Sequence, residues 1–144
     1  MKTEIKLELI ELERHSYHFL LDAIINNHPI RMVLDTGASR SCFDLGFLKQ
    51  KNIIEIPQEK EIQSSGLGGS IGKSMIANID KFQIGDFTIC DYTVIGLDLS
   101  AVNQAYSMID IPAIQGILGG DLLKLFGSVI RYDKNILILK TRRP

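Results

Sequence analysis

The chain has 144 residues, which is enough for one domain to bury a hydrophobic core without disulfides or metal ions. Its 16 basic and 17 acidic residues leave a formal net charge of −1, so no overall charge draws it to nucleic acid or to an anionic membrane. No apolar run approaches the roughly 20 residues of a membrane helix, and the N-terminus alternates charged and apolar residues unlike a signal peptide, so we expect a cytoplasmic protein.

Cysteine and histidine give no sign of a disulfide framework or a metal site. Cys42 and Cys90 are too few for a framework and are interpreted as reduced thiols. The three histidines, His15, His18 and His28, lack metal-ligand spacing, so we interpret them as structural or surface residues. We therefore expect no metal and no cofactor.

Alternating apolar and polar residues predict strands in the first third of the chain. The predicted strands cover residues 3–9, 17–25 and 30–34. Turn-forming residues at 26–29 lie between the second and the third, which predicts a hairpin. Asp44 is a candidate N-cap for a short helix that ends near Lys51.

The second half of the chain continues this β pattern. Strands are predicted at 74–84 and 87–95 around a Gly85-Asp86 turn, and a last hairpin at 129–132 and 136–139. Residues 97–112 read as a loop or a single helical turn, and a helix over 121–126 is predicted to end at Gly127. Residues 1–144 thus read as a single, mostly β domain with two short helices.

Two segments carry residues suited to chemistry. The apolar strand that ends at Leu34 runs directly into Asp35, Thr36, Gly37, Ala38 and Ser39. The strand would hold the Asp35 carboxylate rigidly, while Gly37 permits a tight turn and close approach of a second chain or a substrate. Each feature also fits an ordinary strand-to-turn exit. The second segment, residues 114–123, leads from apolar residues through glycine directly into a helix.

The order of these segments resembles the retropepsin family of aspartic proteases. Asp35-Thr36-Gly37-Ala38-Ser39 precedes a glycine-rich stretch over 64–72, and Ile117-Leu118-Gly119 then leads into a helix. Residues 116–123 and 126–132 look like the cellular and bacterial members of the group. The resemblance covers about residues 17 to 140, and it implies a closed-barrel-like acid protease fold with a β-hairpin flap and one or two short helices.

The resemblance also implies roles for individual residues. Asp35 matches the catalytic aspartate, and Thr36 matches the residue whose hydroxyl joins the two active-site loops across a dimer axis. Gly37 matches the glycine beside the substrate, and Ala38 and Ser39 complete the loop. The expected flap residues are Gly66, Leu67, Gly68, Gly69 and Ser70. The expected support beneath the active-site loop is Ile117, Leu118 and Gly119.

The chain departs from the viral pattern in two places. Arg40 stands where the viral enzymes carry an acidic residue, and Gly120 replaces a basic one. The viral salt bridge between these positions is therefore not expected. The chain also continues beyond the second predicted helix, so dimerisation through interleaved termini cannot be assumed.

A single Asp-Thr-Gly sequence implies two chains. The mechanism that the resemblance implies uses two carboxylates that share one proton, one to activate water and one to protonate the carbonyl oxygen. A symmetric homodimer would supply the second Asp35, since two-fold dimers are the commonest closed assembly. The prediction is a homodimeric aspartic endopeptidase that cleaves protein or peptide substrates, with no nucleic-acid and no membrane partner.

Other interpretations stay open. A catalytically inert retropepsin-fold module that binds peptides or dimerises is one, since a fold does not establish activity. A dimeric structural subunit of a larger assembly is another. A phosphate-binding loop at Gly72-Lys73-Ser74 is disfavoured, because the glycine required five residues before Gly72 is Leu67.

Overall fold

The computed structural model describes residues 1–53, 55–56 and 74–141. In these ranges the chain is mostly β, as the sequence predicts. The strands are β1 (Lys2–Lys6), β2 (Glu8–Glu13), β3 (Ser16–Ile25), β4 (His28–Leu34), β5 (Cys42–Asp44), β6 (Glu55–Ile56), β7 (Ser74–Ile84), β8 (Phe87–Leu97), β9 (Gly116–Leu118), β10 (Val129–Arg131) and β11 (Ile136–Lys140). The helices are α1 (Leu45–Gln50), α2 (Ser100–Ser107) and α3 (Gly120–Leu125).

Six strands close into a barrel. Neighbouring strands follow the order β3-β4-β9-β5-β8-β7, and β7 pairs back onto β3 through Ile24↔Gln83 and Ile25↔Phe82. β2 extends the sheet beside the first half of β3, and β6 beside β7. The predicted closed-barrel, mostly β class is confirmed.

Local turn and cap signals produce the predicted hairpins and helix ends. Asn26 and Asn27 between β3 and β4 both have positive φ, of 45° and 68°, as a two-residue hairpin turn requires. The Asp44 carboxylate accepts a hydrogen bond from the Phe47 amide at 3.1 Å and caps α1. Gly127, with φ of 49°, ends α3 as predicted.

The N-terminal segment was predicted to form one strand over residues 3–9, but it forms two strands, β1 and β2. It breaks at Leu7: β1 joins a three-stranded sheet of order β1-β11-β10, whereas β2 joins the barrel. Leu7 is buried, and its amide donates to the Asn135 carbonyl at 2.9 Å. The inward-facing positions also change phase there, from Ile5 and Leu7 to Ile10, as the chain passes from one sheet to the other.

A third helix, α2, occupies part of residues 97–112, where the sequence predicts a loop or one helical turn. Leu99, which precedes the helix, makes no side-chain cap, so the local cap signal is absent. The Asp98 carboxylate instead accepts a hydrogen bond from the Ser100 amide at 2.9 Å. Burial of Tyr106, 1% exposed, supplies the tertiary stabilisation that local propensity does not.

Strands β3 and β4 bury both of their faces. One face enters the barrel core, which contains Met32, Phe43 and Phe82. The opposite face contributes Leu20 and Val33 to a second core, which is completed by Ala38, Cys42, Leu99, Tyr106, Ile114 and Ile117. This second core joins α2 to the loop that follows β4. No helix in the described ranges is long and apolar enough to cross a bilayer.

Candidate active site

Asp35 follows directly after β4, and the backbone on two sides fixes its position. Its amide donates to the Leu118 carbonyl at 2.9 Å, which continues the parallel pairing of β4 with β9. Its carboxylate Oδ1 accepts a hydrogen bond from the Gly37 amide at 2.9 Å. The Asp35 carbonyl accepts from the Ala38 amide at 3.2 Å and closes the turn. The half-buried carboxylate is therefore held by main-chain contacts at a strand end.

The next residues divide between the surface and the interior. Thr36, Gly37 and Ser39 are exposed, whereas Ala38 is buried in the second core. An added Cβ at Gly37 would lie 3.3 Å from Asp35 Oδ1, so a side chain there would crowd the carboxylate. The loop thus presents Asp35 and Thr36 on an open surface while Ala38 anchors it.

The three expected support residues lie together with this loop. Ile117 and Leu118 are buried in β9, which pairs with β4 on one side and β5 on the other. Gly119 follows at the N-terminus of α3. An added Cβ at Gly119 would meet the Ala38 oxygen at 2.8 Å and the Arg40 carbonyl carbon at 2.9 Å. Only glycine permits the loop and the helix start to approach this closely.

Ser41 and Asp121 join the loop to α3 in a way that the sequence analysis missed. The buried Ser41 Oγ accepts from the Gly119 amide at 2.8 Å and donates to Asp121 Oδ1 at 2.7 Å. The Ser41 amide donates to the same oxygen at 2.8 Å, and the Gly120 amide donates to the Ala38 carbonyl at 2.7 Å. These four hydrogen bonds hold the loop against the start of α3. The sequence did offer one indication of these contacts, because Asp121 is an acidic residue in the first turn of a predicted helix, where it can accept hydrogen bonds from backbone amides.

We expect Ser41→Ala to lower the free energy of unfolding by about 1–3 kcal/mol, because the buried Gly119 amide loses its acceptor. Ser39→Ala, on the exposed side of the same loop, should change it by less than about 0.5 kcal/mol. Chemical denaturation of both variants measures the difference. Equal stabilities would show that the Ser41 contacts contribute nothing.

Neutral groups surround the inner side of the loop. Burial is the largest cause that raises the pKa of the Cys42 thiol to about 12, and the negative charges of Asp121, Asp35 and Asp44 contribute to the same rise. Burial also raises the pKa of Tyr106 to about 12, with the Asp35 carboxylate as the next cause. Both groups therefore stay protonated near neutral pH. The two ion pairs found in the described part of the chain, Arg31–Glu8 and Arg131–Asp133, do not include Asp35.

The flap residues Gly66, Leu67, Gly68, Gly69 and Ser70 lie outside the described residues. The strands that precede and follow these residues in the chain, β6 and β7, pair with each other antiparallel. Within the described ranges, no group of three or more His, Cys, Asp or Glu side chains is arranged to hold a metal ion.

Comparison with known proteins identifies the class. The family model described as aspartyl protease matches residues 21–122, so the chain belongs to the aspartyl protease family. Its retropepsin-like fold is shared with the crystal structure of a retropepsin-like aspartic protease from Rickettsia conorii, with 21% sequence identity, a TM-score of 0.56 and coverage of 98% of this chain and 96% of that one. The crystal structure of the retroviral protease-like domain of Ddi1 from Leishmania major is also similar, with 16% identity, a TM-score of 0.51 and coverage of 83% and 86%. A search of curated proteins finds no match.

Proposed function

We propose that this chain is an aspartic endopeptidase that acts as a homodimer, with Asp35 from each chain forming the catalytic dyad. The observation that carries the proposal is the Asp35 carboxylate itself, held at the end of β4 by main-chain contacts and accessible from solvent. Membership of the aspartyl protease family supports the same reaction class. The whole sequence contains one Asp-Thr-Gly, so a complete dyad needs a second copy.

The proposed reaction needs no group beyond the dyad and a water molecule. Two carboxylates at close range share one proton, a behaviour for which aspartic proteases are the standard example. The ionised carboxylate takes a proton from water as the water oxygen attacks the scissile carbonyl carbon. The protonated carboxylate donates its proton to the developing oxyanion. Proton transfer to the amine then releases the two peptide products.

An open cavity beside the active-site loop supports a second copy as the partner. It has a volume of about 630 Å³ and its lining includes Thr36, Leu123, Leu125, Ile130 and Thr141. Leu125, which lines this cavity together with Thr36, is 62% exposed. Such apolar exposure next to Thr36 favours a protein partner at this surface. The Thr36 hydroxyl is proposed to bond across the dimer axis, as the family resemblance implies.

The sequence also supports proposals for the domain organisation, the flap, the location and the substrate. Residues 1–144 act as one protease domain, and residues 66–70 form a flap over the bound peptide. The expected place of action is the cytoplasm, and the substrate is a protein or peptide.

The test is cleavage of a diverse peptide mixture by the purified protein at several pH values, with new termini identified by mass spectrometry. We expect cleavage at acidic to near-neutral pH and loss of activity as the pH rises, because one carboxylate must keep the shared proton. The solution mass should be about twice that of one chain. A strictly monomeric protein, or activity that climbs steadily into the alkaline range, would contradict the proposal.

An inert peptide-binding or dimerisation module is the second candidate. The neighbour from Leishmania major is named as a retroviral protease-like domain, and a shared fold does not establish catalysis. This candidate predicts a dimer that retains peptides without cleaving them. Peptides recovered intact from the dimer at every pH would favour it over the protease.

A further inference from the structure

A polar pair lies at the edge of the second core, where Tyr106 of that core contacts His18 of β3. The His18 Nδ1 atom and the Tyr106 hydroxyl oxygen are 2.7 Å apart, and the two rings meet edge to face with centroids 5.9 Å apart. Tyr106 is almost fully buried, and His18 is half-buried. A neutral imidazole with its proton on Nε2 accepts this hydrogen bond from the tyrosine. A buried polar pair is stabilising only while both partners are satisfied, so each ring fixes the other.

The strand register places this pair beside Asp35. The antiparallel β3–β4 ladder ends with Phe19 paired to Leu34, and continuing this register by one residue places His18 opposite Asp35. Residues directly opposite in an antiparallel ladder project from the same face. Leu20 and Val33, two residues away on the same strands, lie in the second core with Tyr106. His18 and Tyr106 therefore adjoin the strand end that carries the carboxylate.

Helix α2 is also hydrogen-bonded to the segment before β9 and to the end of β5. The Asn103 side chain donates to the Ile114 carbonyl at 3.0 Å and accepts from the Ile114 amide at 2.8 Å. At the start of the helix, the Leu99 amide donates to Asp44 Oδ1 at 3.1 Å. Tyr106, near the other end, lies in the core that contains Ala38 of the active-site loop. The hydrogen bond between His18 and Tyr106 thus joins α2 to β3, the strand that pairs with β4.

We propose that His18 and Tyr106 are positioning residues, whose hydrogen bond holds α2 and the Asp35 loop in a fixed relation. For its catalytic readout the proposal rests on the protease function proposed above. Loss of the bond lets the loop move on one side while the backbone contact to Leu118 remains. Small displacements of a catalytic group act mainly on the chemical step. The expected signature is therefore a lower kcat with little change in KM.

Four variants test this role. Tyr106→Phe and His18→Leu each remove one partner, and we expect kcat to fall about five- to tenfold with KM changed less than about twofold. His18→Asn restores an acceptor near the Nδ1 position, so its kcat should stay within about twofold of the wild type. Tyr17→Phe removes a hydroxyl from the neighbouring exposed residue and should have no effect. An unchanged kcat in Tyr106→Phe, or an equal loss in His18→Asn and His18→Leu, would overturn the proposal.

Amide hydrogen exchange tests the same role without requiring cleavage. In Tyr106→Phe and His18→Leu, we expect the Ala38 and Gly120 amides to exchange about fivefold faster, and amides within β7 and β8 to be unaffected. Unchanged exchange at Ala38 and Gly120 would overturn the positioning role, even in a protein that cleaves peptides. Faster exchange in a protein that never cleaves would support the positioning role and contradict the protease function.

Discussion

Replacing Asp35 by asparagine is expected to abolish peptide cleavage and to leave the fold and the dimer intact. The amide cannot take a proton from water, and in a homodimer one substitution removes both carboxylates. We expect a loss of at least about 10⁴-fold in kcat/KM, the scale seen when a catalytic group is removed. The asparagine Oδ1 can still accept the hydrogen bond from the Gly37 amide, so the loop turn should survive. Kinetics, circular dichroism and the solution mass measure the three parts of this expectation.

A matched control and a mixing experiment sharpen the result. Asp80→Asn removes an exposed carboxylate from β7 and should leave kcat/KM unchanged. When wild-type and Asp35→Asn chains are mixed equally and allowed to exchange subunits, about a quarter of the dimers keep two carboxylates. The activity should then be about a quarter, rather than a half, of that of wild-type protein at the same total concentration. Activity that follows the wild-type fraction linearly would contradict a dyad shared between chains.

Gly119→Ala is expected to damage both stability and catalysis. The new methyl group would lie within 3.0 Å of three backbone atoms, namely the Ala38 oxygen and the carbonyl carbon and oxygen of Arg40. Backbone cannot rotate away as a side chain can, so the loop after Asp35 must shift. We expect the free energy of unfolding to fall by about 3 kcal/mol, at the upper end of overpacking costs. A displacement of about 1 Å at the carboxylate would lower kcat about 100-fold.

Gly120→Ala is the matched control, one residue further along α3. The nearest atom to its added Cβ is the Ala38 oxygen at 3.4 Å, an ordinary contact distance. Alanine is also a better helix former than glycine, so this variant should be as stable as the wild type or more so. Denaturant titration and peptide kinetics compare the two. Equal behaviour of Gly119→Ala and Gly120→Ala would show that the close approach at Gly119 does not matter.

Short-range features of this chain were readable from its residues. The turn at Asn26 and Asn27, the cap at Asp44 and the helix end at Gly127 each depend on the chemistry of a few adjacent positions, and all three are present in the structure. The segment from Asp35 to Ser39 was also located, because an apolar strand followed by Asp-Thr-Gly is a local pattern. The family model covers that segment, while the catalytic role of Asp35 stays a prediction.

Features that depend on residues far apart in the chain could not be predicted from local sequence patterns. The break at Leu7 left a trace in the phase of the apolar residues, yet the partners of β1 and of the Leu7 amide, β11 and Asn135, lie at the far end of the chain. Helix α2 has no local side-chain cap at Leu99, and its stability comes from burial of Tyr106 in the second core. The sequence therefore predicted a loop or one helical turn where packing produces a helix of eight residues.

The sequence by itself determined the mostly β class of fold and the position of the candidate carboxylate, because alternation, turn chemistry and Asp-Thr-Gly are all local patterns. The second copy that a lone Asp-Thr-Gly implies stays a prediction. Only the tertiary structure decided what holds that carboxylate in place. Ser41 meets Asp121 80 residues later, and His18 meets Tyr106 88 residues later. Such contacts arise from the register of a closed barrel, which brings together side chains whose spacing along the chain carries no signal.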